Sequence, residues 1–187
     1  MIRDATFSED GKRRFDLIRD WRDEIGAPDR TALFAMLNPS KAGKKDDDPT
    51  VRKVVGFGRR WGFGRVVLWN LNPFVSTDPW KLPPWSGIDP ENRLMLRAWL
   101  ELADAVVVAW GTQPRAVSRT IAFPELIYDF RNIAGTKTLY CIGTTSGGSP
   151  KHPSRAPYTD HPEIWSGEPP TAHAQHAPTE STTESGK

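Results

Sequence analysis

The run Leu33-Phe34-Ala35-Met36-Leu37, closed abruptly by Asn38-Pro39-Ser40, constrains this chain more than any other stretch. Five consecutive apolar residues without charge suit a strand buried on both faces of a parallel sheet. Pro39 has no N–H to give to a ladder, so the strand ends there and delivers Asn38 to its carboxyl end. In open α/β sheets ligands gather at that edge. A strand followed by a plain Asn-Pro turn would look the same, so the other strands have to be read alongside it.

A second apolar run, Val66-Val67-Leu68-Trp69, also ends in asparagine, Asn70. Between the two runs lies a helix. Asp48 is a good N-cap, Pro49 suits the first helical position, and Val51, Val54 and Val55 share one face. Gly62 ends the helix near Trp61. Gly56 and Gly58 weaken it, or else allow close approach of another group. Strand, helix and strand form a βαβ unit, and both asparagines then stand at one edge of the sheet.

The chain before this unit, residues 3–19, reads as a β-hairpin around Asp10-Gly11. Beyond it, residues 71–88 are a long loop rich in Pro and Trp, a length that in compact domains goes with function. A second helix starts at Asp89-Pro90, with Leu96, Trp99 and Leu100 inward. The third strand is Ala105–Gly111. A helix from Gln113-Pro114 to about Ile127 follows, and then a fourth strand, Thr138–Gly143. That strand empties into a Gly/Ser loop carrying His152. From Ser166 the chain has no apolar side chain larger than alanine, so residues 166–187 are expected to be a disordered tail on a single domain, residues 1–165. The fold class expected is three-layer α/β/α, with a mainly parallel four-stranded central sheet and an N-terminal hairpin.

Composition narrows the function. With 187 residues, 37% hydrophobic and 26% charged, the chain can build one real core. One cysteine, Cys141, excludes an internal disulfide and an iron–sulfur cluster. No apolar run has membrane-spanning length and the N-terminus lacks a leader-like core, so a cytoplasmic monomer is expected. Net charge is only +2, but Lys41, Lys44, Lys45, Arg52, Lys53, Arg59, Arg60 and Arg65 crowd the segment after the first strand end. They would attract a phosphate backbone, or serve as a solvated helix face. Asp46-Asp47-Asp48 could bind Mg²⁺, but adjacent loop carboxylates are usually solvated, and neither metal nor cofactor is expected.

Four strand ends therefore converge: Asn38, Asn70, Gly111-Thr112 and the loop of His152. An amide can hold a water, a second amide can read the edge of a heterocycle, and an imidazole can donate to a departing anion. Ser40, Lys41 and Ser154 could meet phosphates, and Phe57 could stack on a base. Such parts suit hydrolysis of an N-glycosidic bond at an extruded nucleotide.

Met36-Leu37-Asn38-Pro39-Ser40, Asp48-Pro49-Thr50, Arg59-Arg60-Trp61-Gly62, Asn70, Thr77-Asp78-Pro79, Trp110-Gly111 and His152-Pro153 together resemble a bacterial and phage family, domain of unknown function 1643 (DUF1643), over residues 3–165. The same order of signals is more distantly similar to the uracil-DNA glycosylase superfamily, in particular its mismatch-specific branch. That likeness implies that Asn38 positions the attacking water, Asn70 recognises the base, and His152, in His152-Pro153-Ser154, stabilises the leaving base. It also implies a base-stacking aromatic, for which Phe57 is the candidate, a DNA partner and no cofactor. Met36 stands where the branch has Gly, and Arg155-Ala156-Pro157 lacks the apolar wedge that usually follows the last motif. The resulting expectation is a DNA glycosylase-like hydrolase acting on uracil or another modified base, with a role in phage–host conflict suggested by the family's setting. The alternatives are a non-catalytic nucleic-acid or nucleotide-binding module, and an enzyme of free nucleosides or nucleotides.

Overall fold

The computed structural model describes residues 1–78, 82, 87–112 and 123–167. The tail beyond Gly167, Pro79, and residues 113–122 of the helix expected from Gln113 lie outside these residues. One sheet holds seven strands: β1 (Ile2–Phe7), β2 (Arg14–Asp20), β3 (Thr31–Met36), β4 (Arg65–Asn70), β5 (Ala105–Val108), β6 (Leu139–Cys141) and β7 (Glu163–Ile164). Their order across the sheet is β1-β2-β4-β3-β5-β6-β7. Strands β4, β3, β5 and β6 are mutually parallel. The hairpin and β7 extend the two edges antiparallel.

The sheet is thus wider than the four strands expected. The hairpin continues it, with Leu17–Asp20 on β2 paired to Arg65–Leu68 on β4. Strand β2 is buried along almost its whole length, which marks an interior strand. Strand β7 is two exposed residues, too short and too polar to announce itself.

The strands' period of two separates two apolar layers. Leu33, Ala35, Leu37, Val67, Trp69, Val106 and Val108 pack with helices α2 (Pro90–Leu102) and α3 (Phe123–Ala134). Phe34, Met36, Val66, Leu68 and Val107 pack with helix α1 (Pro49–Arg60). Each fully buried large side chain contributes about 1.5–3 kcal/mol. The caps are those expected: the Asp48 carboxylate accepts the Val51 N–H, and Asp89 accepts from Glu91 and Asn92. Asp89-Pro90 also ties back to the hairpin through Arg13, 2.9 Å from Asp89.

This layering sets the position of the site. Neighbouring strands β3 and β5 lead to helices on opposite faces, α1 and α3. Their carboxyl ends therefore part and leave a crevice, the topological switch point of the sheet.

Candidate functional site

Asn38 lies just past β3, and the chain there is pinned on several sides. The Leu71 N–H donates to Met36 O, the Asn72 N–H to Leu37 O and the Ser76 N–H to Pro39 O, at 2.8, 2.9 and 2.9 Å. The amide itself is oriented by two carbonyls: Nδ2 donates to Ser76 O at 2.8 Å and to Pro39 O at 3.2 Å. Only the NH₂ side can face carbonyls, so Oδ1 is left as the acceptor.

His152 reaches the same edge from the loop after β6. It caps a single 3₁₀ turn, Pro153–Arg155, with Nδ1 accepting the Ser154 N–H at 3.3 Å. The Ser154 hydroxyl lies 2.8 Å from the same nitrogen. An accepting Nδ1 leaves the proton on Nε2, which is then a donor. Burial lowers the imidazole pKa below its ordinary value; the Arg155 cation lowers it further and Asp48 opposes. The ring is therefore neutral at pH 7. Its loop rests on α1, where Lys53 Nζ donates to Ala156 O at 2.7 Å and Tyr158 lies against Gly56, leaving no room for a Cβ there. At the end of β5, Gly111 has φ +80°, and a Cβ on it would stand 3.0 Å from the His152 Cβ. Glycine at that strand end lets the imidazole come close.

Two hollows with shared walls result. One of about 340 Å³ lies between the β3 and β5 ends and the His152 loop, with Asn38, Trp110, Gly111, Lys151 and Arg155 on its walls. The other, of about 60 Å³, is lined by Asn38, Asn70 and His152 together with Arg14, Ser40 and Asp48. Met36, Asn38 and His152 border both. The two amides and the imidazole, far apart in the chain, thus meet at one rim. A larger hollow, about 550 Å³ beside α3, is lined mainly by apolar groups such as Phe123, Ile127 and Trp165 and contains none of the three.

The remaining candidates fall differently. Asn70 is buried, and its Nδ2 has no hydrogen-bond partner among the described residues. Phe57 does not present a ring to a ligand. It is fully enclosed in the core, with ring centroids 4.9 Å from Trp61 and 5.1 Å from Tyr158, so the base-stacking role expected of it is corrected. Ser40 donates its hydroxyl to Asp48, and Ser154 serves His152. Lys41 is exposed. Much of the basic segment is engaged within the fold: Lys44 with Asp4, Arg59 with Glu24, Arg65 with Thr31. The neighbouring carboxylates diverge, Asp47 to Arg19 and Asp48 to the α1 cap.

One residue of the small cavity escapes sequence reading. Arg14 is 3% exposed, and its Nη1 donates to Ala42 O while its Nε has no partner among the described residues. Burial draws its pKa down to about 10, aided by Arg19 and opposed by Asp48 and Asp16. Simple alternation puts Arg14 on the face of Asp16, whose carboxylate takes the Trp99 Nε1–H from α2. Strand β2, however, carries a bulge: Thr6 pairs with Asp16, and Phe7 with Arg14. The extra residue re-aims Arg14 toward the α1 side.

The profile of one family, described as protein of unknown function (DUF1643), matches residues 14–154. No curated protein and no solved structure matches the chain. The likeness to uracil-DNA glycosylases rests on the short motifs alone.

Proposed function

We propose a function from one premise: the chain belongs to the DUF1643 family, whose description names no activity. Our reading is a DNA glycosylase-like hydrolase that cleaves the N-glycosidic bond of uracil or another modified base. The observation that carries it is the meeting of Asn38, Asn70 and His152 at one cavity of the sheet's carboxyl edge.

The residues divide the work as follows. The extruded base enters the crevice with its edge toward Asn70. The Oδ1 of Asn38 accepts a hydrogen bond from a water and holds it against the anomeric carbon. As the carbon–nitrogen bond breaks, charge collects on the base, and the neutral His152 donates to it from Nε2. One such preorganised donor is worth about 2.7–4 kcal/mol in comparable sites. The water oxygen bonds to the sugar carbon, one of its protons ends on the base, and an abasic sugar remains. Arg155, on the wall of the larger hollow, would meet a flanking phosphate, and the exposed Lys41 would add a second cation.

The internal pairing of Lys44, Arg59 and Arg65 favours a second reading, an enzyme acting on free nucleosides or nucleotides, which needs no phosphate track. Incubation with duplexes and single strands bearing uracil, hydroxymethylated or glucosylated bases, and with mononucleotides, separates the readings. Abasic sites formed by the wild type but not by Asn38→Ala are expected. Release of base from mononucleotides alone selects the second reading. Wild-type protein that releases no base from any of them overturns both.

A further inference from the structure

Two residues that line the small cavity each carry a buried hydrogen-bond donor with no partner among the described residues: Arg14 Nε and Asn70 Nδ2. An orphaned buried donor costs about 1–3 kcal/mol, and two that fall on residues around one hollow mark a place where an entering group could supply acceptors to both. The hollow is about 60 Å³, roughly two waters' share of liquid volume. It admits the edge of a ring, not the whole of one.

The charge around it selects the kind of acceptor. Asp48 stands beside Arg14 and offsets its charge, while its own oxygens are occupied by the Val51 N–H and the Ser40 hydroxyl. A phosphate would meet that carboxylate and be repelled. A neutral carbonyl oxygen carries no charge for Asp48 to repel and can accept from both orphaned donors. An exocyclic amine in the same place would set donor against donor.

We infer that Arg14 is a specificity-determining residue that, with Asn70, reads the carbonyl edge of a base and rejects amino-bearing bases. This rests on the reading of the site as one for a nucleobase. It does not need a bond to be cleaved. It makes uracil- or hypoxanthine-like bases the substrate class, and excludes cytosine and adenine.

The test is binding without turnover. Single-stranded oligonucleotides carry uracil, cytosine, hypoxanthine or adenine at one position, with a 2′-fluoro sugar there to block cleavage. Fluorescence anisotropy gives the affinities for the wild type, Arg14→Met and Asn70→Leu. The wild type is expected to prefer carbonyl-bearing bases by about tenfold or more, and each variant to lose most of that preference. A preference intact in Arg14→Met overturns the inference and leaves the glycosylase reading standing. So does equal wild-type binding of both base classes alongside cleavage of the unblocked strands. A wild type that neither binds nor cleaves any of these strands overturns the nucleobase reading and this inference with it. Should Arg14→Met fail to fold, the wild type still answers. Its Arg14 Nε–H resonance, assigned through Arg14→Lys, moves when the uracil strand binds and stays with the cytosine strand. A resonance unmoved by the bound uracil strand overturns the inference.

Discussion

Strand β2 buries two arginines, and the fold treats them in opposite ways. Arg19 has no exposed surface, and its guanidinium is answered all round. Nε donates to Asp47 at 2.7 Å, Nη1 to Ile18 O at 2.7 Å and Nη2 to Gly43 O at 2.9 Å. It clamps the loop between β3 and α1 onto the hairpin and so delivers Asp48 to the helix cap. Arg14 is nearly as buried, yet it holds one loop carbonyl and leaves Nε without a partner beside the cavity. A buried cation that serves structure has complete partners, because desolvation is offset only then. A buried cation with an unfilled donor, next to a hollow that shares an amide and an imidazole, is poised for a ligand.

The contrast breaks most visibly in stability. Arg19→Met is expected to cost about 3–5 kcal/mol, because Asp47 loses its main partner inside the fold. Arg14→Met is expected to stay within about 1 kcal/mol of the wild type or to exceed it, because a half-answered charge disappears. Urea unfolding of the two variants measures both. Equal losses would mean that Arg14 is as structural as Arg19.

His152→Ala and Asn38→Ala come next. Each is expected to lower base release by at least about a hundredfold, the effect of one missing transition-state contact. Their unfolding midpoints should move far less than that of Arg19→Met, since both side chains lie at the crevice rim. Single-turnover cleavage and urea melts on the same samples check the pair. A variant that keeps wild-type cleavage removes that residue from the mechanism.

The sequence reveals such a rim only in part, for physical reasons. Strands β3 and β4 are legible because an uninterrupted apolar run has few ways to be buried. The helix starts at Asp48-Pro49 and Asp89-Pro90 are legible because caps are local chemistry. Parallel strands must end at the same edge, so the convergence of Asn38, Asn70 and the His152 loop follows from their order alone. Long-range choices are hidden. Nothing local says that the hairpin joins β4, or that two exposed residues, Glu163–Ile164, close the other edge. Phe57 misleads because an aromatic between two glycines reads as one offered to a ligand. Here Gly56 makes room for Tyr158 and Gly58 for Val66, and the ring between them is core. Arg14 stays hidden because a single bulge reverses the face that alternation assigns to it.

Gly111→Ala tests whether β5 supports the imidazole. At φ +80° the added methyl is strained, and it would stand 3.0 Å from the His152 Cβ. A stability loss of about 1–3 kcal/mol is expected from the backbone alone. If the crevice needs the close approach of His152, base release falls further than that loss of folded protein explains, with kcat affected more than KM. Loss of stability with unchanged kcat would make Gly111 a turn residue only.

The smallest effect is one of pH, and its sign follows from burial. The folded protein holds His152 neutral more strongly than the unfolded chain does, with the pKa below the ordinary value of 6.5. Between the folded and unfolded values the unfolded state binds the extra proton. The contribution of His152 to stability is therefore whole above about pH 6.5 and is lost as pH falls through that window toward the folded pKa. Urea unfolding of the wild type and His152→Asn from about pH 8 to about pH 5 isolates it: the wild type should lose stability relative to the variant on the acid side. Arg155→Gln removes a cation that depresses the same pKa, so the acid limb of base release should move to higher pH in that variant. Arg155 is also proposed to meet a phosphate, which gives the two roles different signatures. A shifted pH limb with unchanged KM marks its effect on the imidazole. A raised KM that grows with salt marks its contact with the backbone of the nucleic acid.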